Sequence, residues 1–164
     1  MSDPPQPSPD VALRGPDPGA RPAQHLRAIT LIIAVVGAVG YFNLGRGDLI
    51  NSLETGYALT VHEMVRDGGE NWILPHMNDR PRLNKPPIPF WVSAVVAKVV
   101  QGDHASVPLM RGVSVVVGCL AAICVYLLGC RMFDRRAGLW AAIVWATTYL
   151  SIYEVRFARH DVYL

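Results

Sequence analysis

The sequence predicts an all-α, polytopic membrane protein with three transmembrane helices and an outer loop carrying juxtamembrane, interfacial helices. Three observations predict it. Hydrophobic residues make up 51% of the 164-residue chain and charged residues only 17%. The charges collect outside a few apolar runs, where a soluble domain would spread them along its helices. Those runs approach the roughly 20 residues that cross a bilayer as a helix.

Residues 1–26 precede the first run. Pro4, Pro5, Pro7, Pro9, Pro16, Pro18 and Pro22 interrupt this stretch, with Gly, Asp and Ser between them. Such a segment buries too little apolar surface to offset chain entropy, so it reads as a disordered cytoplasmic tail. The first span is expected over 28–44, with Tyr41 and Phe42 as interfacial anchors. A secretory signal peptide is the competing reading, because Arg27 precedes a short apolar core. The long Pro-rich leader and the absence of a clear small-x-small cleavage site count against it.

The second span is expected over 108–130 and the third over 137–153. Between them, 131–136 holds Arg131, Arg135 and Arg136. The positive-inside tendency places that turn, and the tail with Arg14, Arg21 and Arg27, in the cytoplasm. The loop 45–107 is then outside. Residues 88–100 are apolar but short for a span, so they read as a helix lying in the outer interface, anchored by Trp91 with Lys98 able to snorkel. Within the loop, Tyr57, Ala58, Val61, Met64 and Val65 recur at helical spacing over 54–67. Asn51 or Ser52 can cap that helix, and Gly68-Gly69 ends it.

The charge balance also limits the partners. A net charge of +2, with no basic patch interleaved with aromatics, sets nucleic acid aside. Cys119, Cys124 and Cys130 sit in or at the end of one apolar run, without metal-ligand spacing, and read as small apolar residues. His62, His76, His104 and His160 show no metal spacing either. No metal site is predicted.

Three residues and one short segment are candidates for chemistry. Glu54 is a carboxylate in the first turn of the loop helix, placed to act as a general base or to orient a hydroxyl. The same position also suits a capping box with Asn51 and the positive end of the helix dipole. Lys85 precedes Pro86-Pro87 at the start of the interfacial helix. Free amides and a lysine there could hold a phosphate, or the lysine could simply rest on anionic headgroups. Asp161 follows the third span on the outer side, where it could join Glu54 in a two-acid site or end a helix. Arg80-Pro81-Arg82 could touch phosphate or remain a solvated loop.

Several motifs follow one another in a familiar order. They are Glu54-Thr55-Gly56-Tyr57-Ala58, His62-Glu63-Met64, Asn71-Trp72-Ile73-Leu74-Pro75 and Asn84-Lys85-Pro86-Pro87-Ile88-Pro89-Phe90-Trp91. Arg111, Arg131 to Gly138, and Arg159-His160-Asp161 complete the series. From about residue 28 onward the chain resembles the N-terminal part of the GT-C membrane glycosyltransferases. The groups it is most similar to are the lipid A aminoarabinose transferases and the protein O-mannosyltransferase-like enzymes. The resemblance implies inverting transfer of a sugar from a polyprenyl-phosphate donor to a lipid A or protein acceptor, on the outer face of the inner (plasma) membrane. It implies Glu54 and Asp161 as catalytic carboxylates, and Lys85 and Tyr57 at the donor phosphate. No cofactor is assigned, and a divalent metal is compatible with the family.

The chain departs from the family pattern at three positions. Leu53 stands where the family usually has Asp, Gly56 where it often has Arg, and Asn84 where it often has an acid. With Leu53, either Glu54 serves as the base or the activity is weakened. Asp48 could substitute only along a different loop path. Family members carry several further spans, so a fragment, a truncated frame or a reduced paralogue would each look like this chain. The alternative function is a non-catalytic membrane protein that binds lipid-phosphate or a partner.

Overall fold

The computed structural model describes residues 22–42, 44 and 52–158. The elements are α1 (Pro22–Tyr41), α2 (Ser52–Asp67), a 3-10 turn (Gly69–Trp72), β1 (His76–Met77), β2 (Arg80–Pro81), α3 (Ile88–Gln101), α4 (Val107–Met132), α5 (Arg135–Thr147) and α6 (Tyr149–Arg156). The two short strands form an antiparallel hairpin, with His76 opposite Pro81 and Met77 opposite Arg80. Everything else regular is helical.

Two cores organise the molecule. In the first, α1, α4, α5 and α6 meet around Ile32, Val36, Val115, Ala122, Tyr126 and Ala142. In the second, α2 and α3 close on the start of α4 around Tyr57, Val61, Met64, Phe90, Ala94 and Met110. The long helix α4 belongs to both, through Met110 at one level and Val115 at the next.

α1 buries Ala28, Ile32, Val36 and Gly40, one residue per turn, while Leu31 and Ile33 stay exposed. α4 exposes Val116, Leu120, Leu127 and Leu128. Apolar residues thus line the outside of these helices as well as the inside, the pattern of helices meant for lipid. Among the described residues, α1 and α4 are the two helices long and apolar enough to cross a membrane. At about 1.5 Å per residue they reach roughly 30 and 39 Å, against about 30 Å of hydrocarbon. The chain is a helical membrane protein.

Two sequence expectations change. The first turns of α1 begin at Pro22, so 22–26 are helix and not tail. Pro22 occupies the start of a helix, where its missing N–H costs nothing, and His25 Nδ1 lies 2.7 Å from the Tyr126 hydroxyl of α4. Residues 1–21 lie outside the described residues. The expected third span, 137–153, is not one continuous helix. α5 stops at Thr147 and α6 restarts at Tyr149. The Thr147 hydroxyl donates to Ile143 O at 2.9 Å and the Thr148 hydroxyl to Val144 O at 2.7 Å. Two consecutive hydroxyls turned back on the preceding turn loosen the ladder, and Thr148 becomes extended, with ψ 134°.

The inter-span segment matches its pattern closely. The expected apolar set of α2, from Tyr57 to Val65, is buried, and Gly68 and Gly69 end the helix at φ 64° and 55°. α3 covers the expected short apolar run and ends at Gly102, φ 74°. Its buried face is Pro89, Phe90, Ser93, Ala94 and Ala97 against α2. Its opposite face leaves Ile88, Val92, Val95 and Val99 exposed. Trp91 is pinned by its ring N–H to Trp72 O at 2.6 Å, and Lys98 pairs with Asp103.

Candidate functional site

Glu54 lies where the two cores join. Its carboxylate is fully buried. Oε1 accepts from Arg111 Nε at 2.7 Å and from the Ala158 N–H at 3.0 Å, and Oε2 accepts from Arg111 Nη2 at 3.0 Å. Arg111 Nη1 donates to Leu44 O at 3.0 Å. This bidentate pair ties α2 to α4, to the end of α1 and to the chain after α6. The Glu54 carboxylate faces inward, onto Arg111 and Ala158, and Asn51, the other half of the capping box, lies outside the described residues. In this arrangement the side chain reaches no open surface among the described residues. It holds other groups in place.

Tyr57 is buried as well. Its hydroxyl donates to Pro89 O at 2.7 Å and lies 2.8 Å from Ser93 Oγ, and its ring packs on Phe90 with centroids 5.1 Å apart. The phenol is buried between α2 and α3 and fastens the two helices. Tyr57→Phe should cost about 1–3 kcal/mol of stability, since Pro89 and Ser93 lose a buried partner. A melting curve in detergent checks this, and an unchanged midpoint would contradict the fastening role.

Lys85 sits in the turn before α3, half-buried. Among the described residues it has no hydrogen-bond or ion-pair partner. Pro86, Pro87 and Pro89 carry no N–H, so the first turn of α3 offers a ligand only the Ile88 and Phe90 amides. Next to it, a cleft of about 660 Å³ is lined by Met77, Asn78, Arg80, Arg82, Leu83 and Asn84, among others. Asn78 and Asp79 take positive φ, 54° and 59°, in the tight hairpin turn, and the Asn78 N–H donates to Glu63 Oε1 at 3.0 Å.

His62 and His104 pack edge to face, with centroids 5.7 Å apart. Among the described residues no three His, Cys, Asp or Glu side chains converge on a point. Asp161 and His160 lie outside the described residues, as do Asp48 and Asn51. Sequence reasoning missed the role of Arg111. The available signal was its isolation: it is the sole charge in the run 108–130, and an ionisable residue in such a run usually has a partner.

Among the described residues, then, long apolar helices, a buried Glu54–Arg111 pair that ties α2 to α4, and a lysine without a hydrogen-bond or ion-pair partner occur together. The comparisons with known proteins agree with the motif order. Residues 84–164 match the family model described as dolichyl-phosphate-mannose-protein mannosyltransferase. The undecaprenyl phosphate-alpha-4-amino-4-deoxy-L-arabinose arabinosyl transferase 2 of Proteus mirabilis (strain HI4320) is 35% identical over 102 residues, 62% of this chain and 17% of the relative. The corresponding transferase of Shewanella sediminis (strain HAW-EB3) is 32% identical over 112 residues, 68% of this chain and 19% of the relative. An uncharacterized protein of Aquifex aeolicus (strain VF5) is 22% identical over 138 residues, 84% of this chain and 27% of the relative. No solved structure matches. The resemblance to the N-terminal portion of the GT-C membrane glycosyltransferases is thereby shown. The chain spans between 17% and 27% of the length of these relatives.

Proposed function

We propose that this chain is the N-terminal module of a glycosyltransferase that takes a sugar from a polyprenyl-phosphate donor to a lipid or protein acceptor. The observation that carries the reading is Lys85, without a hydrogen-bond or ion-pair partner among the described residues and next in sequence to Asn84, which lines a cleft with Arg80 and Arg82, in a segment similar to transferases named for an undecaprenyl phosphate-linked sugar. The acceptor oxygen attacks the anomeric carbon, the carbon–oxygen bond to the phosphate breaks, and the polyprenyl phosphate departs with the negative charge. Lys85 offsets that charge as it develops. Asp161 takes the acceptor proton. Glu54 serves by position, because its Oε1 holds the Ala158 N–H three residues before Asp161.

In this reading α1 and α4 cross the inner membrane with the N-terminus in the cytoplasm. α5 and α6 together make a third, broken crossing. The segment between α1 and α4 lies on the outer face, with the Ile88, Val92, Val95 and Val99 stripe of α3 in the interface. The bilayer, the lipid-linked sugar and the acceptor are its partners. A divalent metal remains compatible with the reading, and adding a chelator to the same assay tests it.

Lys85→Ala should lower transfer about 100- to 1,000-fold, the usual loss when one preorganised group facing developing charge is removed. The melting midpoint should stay put, since Lys85 holds nothing in the fold. Turnover near that of the unmodified protein would sink the role. A second reading, a lipid-phosphate binder without turnover, is favoured by two observations. Leu53 stands partly exposed where the family has an acid, and Glu54 is wholly engaged. Saturable donor binding with no sugar product would support that reading over transfer.

A further inference from the structure

The two ends of α4 carry their charges differently. On the side where α4 starts, Arg66 pairs with Asp67, Lys98 with Asp103 and Arg111 with Glu54. The other end, where α1 starts, α4 finishes and α5 begins, holds Arg27, Arg131, Arg135 and Arg136. None of these arginines forms an ion pair among the described residues. The acid beside them, Asp134, accepts the Ala137 N–H at 2.7 Å and caps α5.

Packing gathers these residues from three helices. α1 runs antiparallel to α4. His25 Nδ1 lies 2.7 Å from the Tyr126 hydroxyl at this end, and the Tyr41 hydroxyl donates to Gly112 O at 3.4 Å toward the other. The close approach of Gly129 and Gly138 folds α5 back on α4. Arg135 Nη1 donates to Gln24 O at 3.4 Å, which ties the first turn of α5 to that of α1. Arg135 is half-buried, whereas Arg27, Arg131 and Arg136 are exposed. The turn between α4 and α5 is apolar at its tip, with Met132 54% and Phe133 63% exposed.

Arginines flanking an apolar tip, on helices whose flanks are themselves apolar, lie beside headgroups and not in bulk water. A guanidinium offers planar, paired donors that match a phosphodiester, and its long stem lets the charge reach the headgroup layer from a helix in hydrocarbon. A zwitterionic lipid carries its own cation next to the phosphate. An anionic one does not, and its negative charge is what this end lacks.

We infer that this end of the bundle is a docking surface for anionic phospholipid headgroups of the leaflet it faces. Arg27, Arg131 and Arg136 contact the lipid phosphates, Arg135 holds α1 and α5 together beside them, and Phe133 enters the boundary between headgroups and chains. In the orientation proposed above, that leaflet is the cytoplasmic one. The inference rests on neither sugar transfer nor the inter-span segment.

The test is native mass spectrometry of the full chain released from mixed micelles holding equal amounts of phosphatidylglycerol and phosphatidylcholine. The unmodified protein should retain phosphatidylglycerol over phosphatidylcholine by about tenfold or more, since an arginine near an anionic surface contributes about a fivefold factor. Arg27→Gln, Arg131→Gln and Arg136→Gln should each lower that preference about two- to fivefold, and the triple variant should lose it. Arg66→Gln removes the same charge on the opposite side and should leave the preference unchanged. The three arginines are exposed, so the triple variant should melt near the unmodified protein in lipid-free detergent. If it does not fold, the single variants carry the test against Arg66→Gln. Inorganic phosphate in large excess should not displace the retained lipid. Equal retention of the two lipids by the unmodified protein overturns the inference. So does a preference that survives in the variants, falls as far in Arg66→Gln, or is abolished by inorganic phosphate.

Discussion

Arg111→Ala is expected to cost about 3–5 kcal/mol, the usual penalty for removing one partner of a buried ion pair. Glu54 is fully buried and the Arg111 side chain nearly so, so the orphaned carboxylate could not reach water without opening the junction between the two cores. The same substitution frees Leu44 O, while Glu54 keeps only the Ala158 N–H. Glu54→Gln should cost less than Arg111→Ala, because an amide still accepts one bond from the guanidinium. The pair should also show non-additivity. Replacing both residues with well-packed apolar side chains should recover much of the loss, since desolvation of the charges is then no longer needed. The three cysteines are free, and Cys130 is buried. Unfolding can therefore be followed with a thiol-reactive dye in detergent. The Arg111→Ala midpoint should fall by about 10 °C or more, at a few degrees per kcal/mol. A shift of only a degree or two would mean the pair contributes little.

The second large effect is expected at the hairpin between α4 and α5. Gly129 and Gly138 bring the two backbones into contact. A Cβ on Gly138 would lie 2.5 Å from Tyr126 O and 2.8 Å from Cys130 N, and one on Gly129 would lie 2.6 Å from the Gly138 Cα. The obstacles are backbone atoms, so no change of rotamer relieves them. Gly138→Val should therefore exceed the about 1–3 kcal/mol typical of an overpacked core. It should part α5 from α4 and expose Cys130 to the dye at temperatures where the unmodified protein is protected. Gly37→Ala is the matched control. Nothing lies within 4 Å of its added methyl group, and alanine in a helix interior is favoured over glycine by about 1 kcal/mol. It should hold or raise the midpoint. Equal behaviour of the two variants would contradict the close approach.

Both effects bear on how this protein would work. The ion pair fixes the chain just past α6 relative to α2, and the glycine contact fixes α5 relative to α4. A site assembled from the inter-span segment and from residues beyond α6 needs both held. Geometry errors of about 1 Å can cost a catalyst two orders of magnitude, so partial losses of stability here should cost more turnover than fold.

The local features of this chain were legible without coordinates. The helical period of Tyr57, Ala58, Val61, Met64 and Val65 predicts the buried face of α2, and all five are buried. Gly68-Gly69 marks its end, and the apolar run from Ile88 marks α3. Each of these depends on neighbours within a few residues. The break at Thr148 was less legible. Its signal is two adjacent hydroxyl residues, Thr147 and Thr148, whose turn-back bonds compete with the ladder only once the helix exists.

Long-range pairings were the hardest to read. Glu54 and Arg111 are 57 residues apart, and Tyr57 meets Pro89 across 32. Taken alone, Glu54 fits a base or a cap, since a carboxylate in the first turn of a helix has the same spacing in both. Arg82 likewise reads as a solvated loop arginine until α2 and α3 close around it.

By itself, then, the sequence determined the helical, membrane-embedded class, the bounds of the inter-span helices and the order of motifs shared with the GT-C glycosyltransferases. These follow from apolar run length, periodicity and residue order, all of which are local. Only the tertiary structure decided that Glu54 and Tyr57 are fasteners, that Arg111 is the partner of one, and that Arg82 is held by Gly56, Thr60 and the Phe90 ring. A charged or hydroxyl side chain acquires its role from what desolvates it and what bonds it. Both come from segments brought together by packing, not from its neighbours in the chain.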